Sequence, residues 1–298
     1  MVDAPESVEP GQSICITLYA PSGATVARGE LVDEADRTLV SNRGFVLTME
    51  DRETASLVLL GVPTTVAPGN YQIRVNGFLD DNRPLTLVRS ITVVERTFRR
   101  QKIRLDKSLS ELRAQPDPRK DADARRLWGI LTRFDPEAVF DVAPFKIPVS
   151  STRQTSGFGD RREYTYADGA TASTIHAGLD LAVPAGTPVA ASAGGRVLFA
   201  GFWLITGNTV VIEHLPGVYS LYYHMQQLLV AEGDTVERGE EIGKVGSTGL
   251  ATGPHLHWEV RVGGVAVDPR LLLGTGLVDE EKIRHTIDTY RRTLSEGG

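Results

Sequence analysis

The sequence predicts a mainly β protein: an N-terminal β-sandwich, a helical connector, and a C-terminal antiparallel β domain followed by a short helix. Three observations carry this. Short β-rich runs separated by Pro-Gly and Asp-Asn turns fill residues 1–97. Helical spacing broken by prolines replaces them over 98–147. Glycine-rich strands then return over 148–275, before a last amphipathic helix at 276–298.

In the first segment SICITLYA, FVLTM, ASLVLL, NYQIRV and LVRSITVVE read as strands. Tyr71, Ile73 and Val75 alternate onto one face after a Pro-Gly turn. Strands at this spacing predict an Ig-like sandwich without a catalytic constellation. Cys15, the only cysteine, excludes an internal disulfide and reads as a packed thiol.

In the connector, Leu127, Ile130, Leu131 and Phe134 share one helical stripe, and Asp117-Pro118 is a helix start. Its paired basic residues read as solvated faces. In the third segment GRVLFAGF, NTVVIEHL, VYSLYYHM, EIGKVGS and HLHWEVRV read as strands. Ile283, Ile287, Tyr290 and Leu294 mark the terminal helix.

The net charge of −6 and the lack of a basic stripe argue against a nucleic-acid partner. No apolar run is long enough to span a membrane. The opening MVDAPESVEPGQS does not read as a signal peptide.

The chemistry gathers in the third segment. In HLHWEV, strand alternation puts His255 and His257 on one face and Leu256 and Trp258 on the other. In IHAGLDLAVPAG, His176 and Asp180 have even separation, with Gly178 between them leaving room for an ion. Histidine nitrogens and one carboxylate are common Zn²⁺ ligands, and three protein ligands leave a fourth position open for chemistry. His224 in VYSLYYHM supplies a proton-moving group, with Tyr222 expected on the same face.

In this order, the HxxxD of His176 and Asp180, then SLYYH, then GSTGLATGPHLHWEV resemble the M23 peptidases, the LytM or lysostaphin-type zinc endopeptidases. SGFGDRR, GLDLAVPAGTPVAASAGGRV, GNTVVIEH and GDTVERGEEIGKVGSTG fit as well, so the resemblance covers about residues 150–275. It implies a LytM-type fold there, with Zn²⁺ held by His176, Asp180 and His257, and His224 and His255 as catalytic residues. One of this pair activates the metal-bound water, both stabilise the tetrahedral intermediate, and the division between them stays open.

The implied function is zinc-dependent hydrolysis of peptide stems or cross-bridges of bacterial peptidoglycan, in the periplasm or cell envelope. The alternative is a silent or latent regulator of cell-wall amidases. A carrier domain, suggested by VAEGDTVERGEEIGKVGSTG, ranks below both because it leaves the histidines unexplained.

Residues 161–175, RREYTYADGATASTI, form a longer and more polar loop than the family's shortest version, with Tyr164 and Tyr166 as oxyanion candidates. Trp203 and Phe202 are expected near the groove, and Glu259 behind a ligand imidazole or in a salt bridge elsewhere. His214 reads as structural and His285 as solvent-facing. The N-terminal half is a candidate intramolecular inhibitor.

Overall fold

In SICITL, Ile14 and Ile16 point one way and Cys15 and Thr17 the other. The computed structural model, which describes residues 2–19, 24–49 and 52–296, packs both faces. One sheet has the order Val2–Asp3, Ser13–Leu18, Thr54–Gly61, Phe45–Thr48. The other has the order Ser7–Val8, Pro84–Val93, Gly69–Leu79, Ala24–Val32, Thr38–Arg43. Between them lie Ile14, Ile16, Leu31, Val58, Leu60, Ile73 and Val75, all buried. The residues of opposite parity, among them Phe45, Leu57 and Leu59, turn outward into a second cluster shared with Val260, Val262, Ile283 and Ile287. The sandwich is therefore joined to the C-terminal unit through an apolar face. A Cβ on Gly61 would stand 2.9 Å from Val262 O, which shows how closely the two units approach.

Residues 98–147 hold two helices, α1 (Lys107–Ala114) and α2 (Pro118–Leu131), and one strand, Arg100–Arg104, which helical spacing had not suggested. The Asp117 side chain caps α2 by accepting from Arg119 N–H at 2.9 Å, a contact worth about 1 kcal/mol. The stripe on α2 rests on the outside of the C-terminal sheet: Leu127, Ile130 and Leu131 cover Leu198, Phe199, Trp203 and Tyr219.

The main sheet is antiparallel, in the order Gln154–Ser156, Leu179–Leu181, Leu256–Val262, Val218–Leu228, Gly207–Leu215, Gly195–Trp203, Thr235–Val236. A separate three-stranded sheet stands beside it. There Arg100–Arg104 pairs in parallel with Arg161–Thr165, which pairs antiparallel with Thr171–Ile175. The expected long loop at 161–175 is thus a hairpin. Helix α3 (Glu280–Glu296) buries Ile283 and Ile287 against both units. The side chain of Leu294, and Ala20 at the end of the first expected strand, lie outside the described residues. No described helix is long and apolar enough to cross a membrane.

Candidate active site

Strand register assembles the site. Leu256–Val262 sets His257 opposite Asp180 on one side and opposite Tyr223 on the other. Cross-strand neighbours stand close enough for side chains to meet, and Asp180 Oδ1 lies 2.7 Å from His257 Nδ1. His176 follows the Thr171–Ile175 strand. Its N–H donates to Asp160 O at 2.9 Å, and its carbonyl accepts from Gly159 N–H at 2.8 Å. Its Nε2 lies 3.0 Å from Asp180 Oδ1 and 2.9 Å from His257 Nδ1.

Gly178 does not leave room for an ion. A Cβ there would stand 2.3 Å from Trp258 O and 2.8 Å from Glu259 Cγ. The glycine instead permits the close strand approach that brings Asp180 to His257.

Hydrogen bonds fix the imidazole tautomers. His176 Nδ1–H donates to Gly157 O at 2.7 Å, leaving the Nε2 lone pair inward. His257 Nε2–H donates to Glu259 Oε1 at 2.9 Å, leaving Nδ1 inward. Glu259 in turn accepts from Arg261 Nε at 2.8 Å. Arg162 donates through Nη2 to Asp180 Oδ2, so that Oδ1 is the oxygen facing the two histidines.

One donor atom from each of His176, Asp180 and His257 lies within 4.8 Å of the others. Two inward lone pairs beside a carboxylate fit a cation placed between them, and the donor set suits Zn²⁺. The local field agrees. Burial disfavours charge on His257, but its bonds to Asp180 and Glu259 outweigh burial and push its pKa up to about 9. Burial likewise opposes the ionised Asp180, yet the bonds from His176 and His257 hold it well below the usual carboxylate range. Burial lowers His176. The pocket is built around a positive charge.

His224 sits beside this centre at φ +64°, a left-handed conformation that costs a residue with a side chain about 1–2 kcal/mol. Its N–H donates to Thr206 O at 2.8 Å, and its Nδ1–H donates to Thr248 O at 2.8 Å. Nε2 is left free of any partner among the described residues. Burial first, then the neighbouring His255 and His257, lower its pKa to about 3, so the ring is neutral. The His255 ring centroid is 4.8 Å away. His255 Nδ1–H donates to Gly253 O at 2.8 Å, and its Nε2 stands 3.8 Å from Asp180 Oδ1.

These side chains open into a cleft of about 510 Å³, bordered by residues 101–105 of the connector, by Arg162 and Tyr164 of the hairpin, and by the 250–255 loop.

All five sequence-predicted site residues meet here. Other expectations need correction. Tyr222 does not share the His224 face: its hydroxyl is buried, accepting from Ser192 N–H at 2.8 Å and from Ser220 Oγ at 2.9 Å. The left-handed His224 turns its own side chain out of the strand's alternation. Tyr223, which sequence reading passed over, stacks on His257 at 5.1 Å between centroids with planes 5° apart. Trp203 is buried beneath α2, stacked on Phe199 at 4.0 Å, and Phe202 is solvent-exposed; neither borders the cleft. Tyr164 borders the cleft and Tyr166 does not. His214 is fully buried, bonded to Gly194 O and Ser220 Oγ, and His285 is exposed.

Comparison with known proteins covers the same region. Residues 174–269, which contain all five residues, match the model of peptidase family M23. The DD-carboxypeptidase/endopeptidase Mpg of Neisseria meningitidis is 46% identical over 125 residues, 41% of this chain and 27% of that protein. The peptidoglycan DD-endopeptidase ShyC of Vibrio cholerae is 37% identical over 123 residues, 41% of this chain and 28% of that protein. The similarity thus spans about a quarter of the length of these relatives. A solved structure of a candidate M23 peptidase from Pseudomonas aeruginosa aligns with a TM-score of 0.60 at 26% identity, over 89% of this chain and 95% of that one, so the likeness extends through the sandwich and connector. With the cluster of His176, Asp180 and His257 inside the matched segment, this chain carries a domain of peptidase family M23.

Proposed function

We propose that the chain is a zinc-dependent endopeptidase that hydrolyses peptide cross-bridges of bacterial peptidoglycan, and that it works in the cell envelope. The observation that supports this most is the convergence of three inward donor atoms with two further histidines whose Nε2 atoms are free of hydrogen bonds. His176 through Nε2, His257 through Nδ1 and Asp180 through Oδ1 would hold the ion. Zinc bound there supplies a Lewis acid that polarises a carbonyl and acidifies water.

The chain's own residues do the rest. His224 is neutral and its Nδ1–H is committed to Thr248 O, so its Nε2 is the atom that takes up a proton from the attacking water. His255, whose Nδ1–H is anchored the same way to Gly253 O, stabilises the negative charge that builds on the carbonyl oxygen when its Nε2 also carries a proton and donates to that oxygen. The proton held by the pair then passes to the departing amine. The substrate class comes from the relatives named DD-endopeptidases. No observation favours the regulator reading, because the ligand set and both histidines are assembled.

The test is bound zinc and hydrolysis measured together on the intact chain. Expected are one zinc per chain and peptide fragments, identified by mass spectrometry, from purified peptidoglycan. His224→Ala should keep the zinc and lose the fragments. A zinc-loaded intact chain that releases no fragments would sink the peptidase reading. Cutting the chain at 148 is a poor test of latency, since it strips α2 from Leu198, Phe199 and Trp203.

A further inference from the structure

The segment RRQKIR, residues 99–104, carries four cations and no acid in a chain of net charge −6. It forms an edge strand. Arg100–Arg104 pairs with Arg161–Thr165 on one side only. The odd residues make that pairing: Arg99 O accepts from Arg161 N–H at 2.8 Å, and Leu105 N–H donates to Thr165 O at 2.9 Å. In a parallel ladder, residues that bond a neighbour alternate with residues whose N–H and C=O point the other way. Arg100, Lys102 and Arg104 therefore turn their backbone groups to the free edge. Residues 101–105 border the cleft that holds Asp180, His224, His255 and His257.

The side chains of Arg100, Lys102 and Arg104 share one face, and all three residues are exposed. Lys102 has only a loose ion pair with Glu163, at 3.7 Å. Arg100 and Arg104 have no carboxylate partner among the described residues. An open edge is a template for an added strand, and an added strand's side chains stand beside those of the edge.

We propose that the free edge of Arg100–Arg104 captures an extended, carboxylate-bearing stretch of the peptide substrate by strand addition, with Lys102 as the central backbone contact and Arg100, Lys102 and Arg104 facing its carboxylates. This rests on the peptidase reading and names the chemistry that the cleft selects. It also gives the connector a role as a wall of the substrate site instead of a plug.

Two zinc-loaded, full-length variants separate backbone from charge. Lys102→Pro removes one outward N–H and spares the bonds to Arg161–Thr165, as an edge position allows. Lys102→Glu with Arg104→Glu reverses the charge. Each is assayed on a cross-linked anionic peptide and on the same peptide with its free carboxylates amidated. Lys102→Pro should raise KM about tenfold for both peptides. The charge reversal should raise KM about tenfold for the anionic peptide only, and about 0.5 M salt should shrink that gap. An unchanged KM in both variants, or faster turnover in either, overturns the proposal. If the unaltered protein cleaves neither peptide, the peptidase reading fails. Fluorescence anisotropy of the labelled anionic peptide on the zinc-loaded protein then decides: about tenfold weaker binding in both variants supports the edge, and equal binding overturns it.

Discussion

His257 Nε2–H donates to Glu259 Oε1 at 2.9 Å, and this single bond fixes which nitrogen faces Asp180. The two residues sit two apart on one strand, so strand geometry alone points them the same way. Glu259 is buried, yet Arg261 and then His257 hold its pKa down to about 2 against the effect of burial. It is an anion behind the imidazole of His257, a candidate ligand, and it makes Nδ1 a better donor to a cation.

Glu259→Gln should therefore weaken zinc binding about 10–100-fold. It should also destabilise the metal-free protein, by about 1–2 kcal/mol, because the half-buried Arg261 loses its carboxylate partner. Competition against a chromophoric chelator reads the first effect and urea unfolding the second. Unchanged affinity would show that the carboxylate does not support the metal.

The backbone at residue 224 gives a second test. At φ +64° a glycine carries no Cβ penalty, whereas alanine does. His224→Gly should be about 1 kcal/mol more stable than His224→Ala. Both should retain zinc and lose about 100- to 10,000-fold in turnover. Equal stability of the two variants would mean that the left-handed conformation carries no strain.

How much of this was legible beforehand follows from which signals are local. The HxH pair and the sandwich alternation are period-two patterns, readable without partners. The spacing of His176 and Asp180 put on one face two side chains that do meet, at 3.0 Å, but gave the wrong role to Gly178, whose constraint comes from Trp258 O on another strand. Tyr223 on His257 and Arg162 on Asp180 depend on cross-strand register and on a hairpin end, which no single segment encodes. Arg100–Arg104 was hidden because its partner lies 61 residues along the chain. Tyr222 failed because the left-handed His224 turns its own side chain out of the alternation that Tyr222 keeps.

Cys15 sits on the face of its strand that meets the C-terminal unit. Burial pushes its thiol up to about 12. The folded protein should therefore give almost no reaction with a disulfide reagent at pH 8, and one equivalent after denaturation. Fast reaction of the folded chain would show that its surroundings do not hold the half-buried thiol protonated.

His214 makes the pH dependence of stability testable away from the proposed metal centre. It is fully buried, and burial lowers its pKa from 6.5 to about 4, with the Gly194 carbonyl opposing that shift. Between these values the unfolded chain takes up a proton that the folded chain does not. Stability from this residue is complete above pH 6.5, declines as pH falls from 6.5 to about 4, and levels off below. The whole effect is about 3 kcal/mol. His214→Gln keeps an amide that can bond Gly194 O and Ser220 Oγ without titrating. Urea unfolding of the metal-free proteins at several pH values across this window should show the wild type losing about 3 kcal/mol more than the variant. Parallel profiles would mean that the imidazole is already protonated in the folded state.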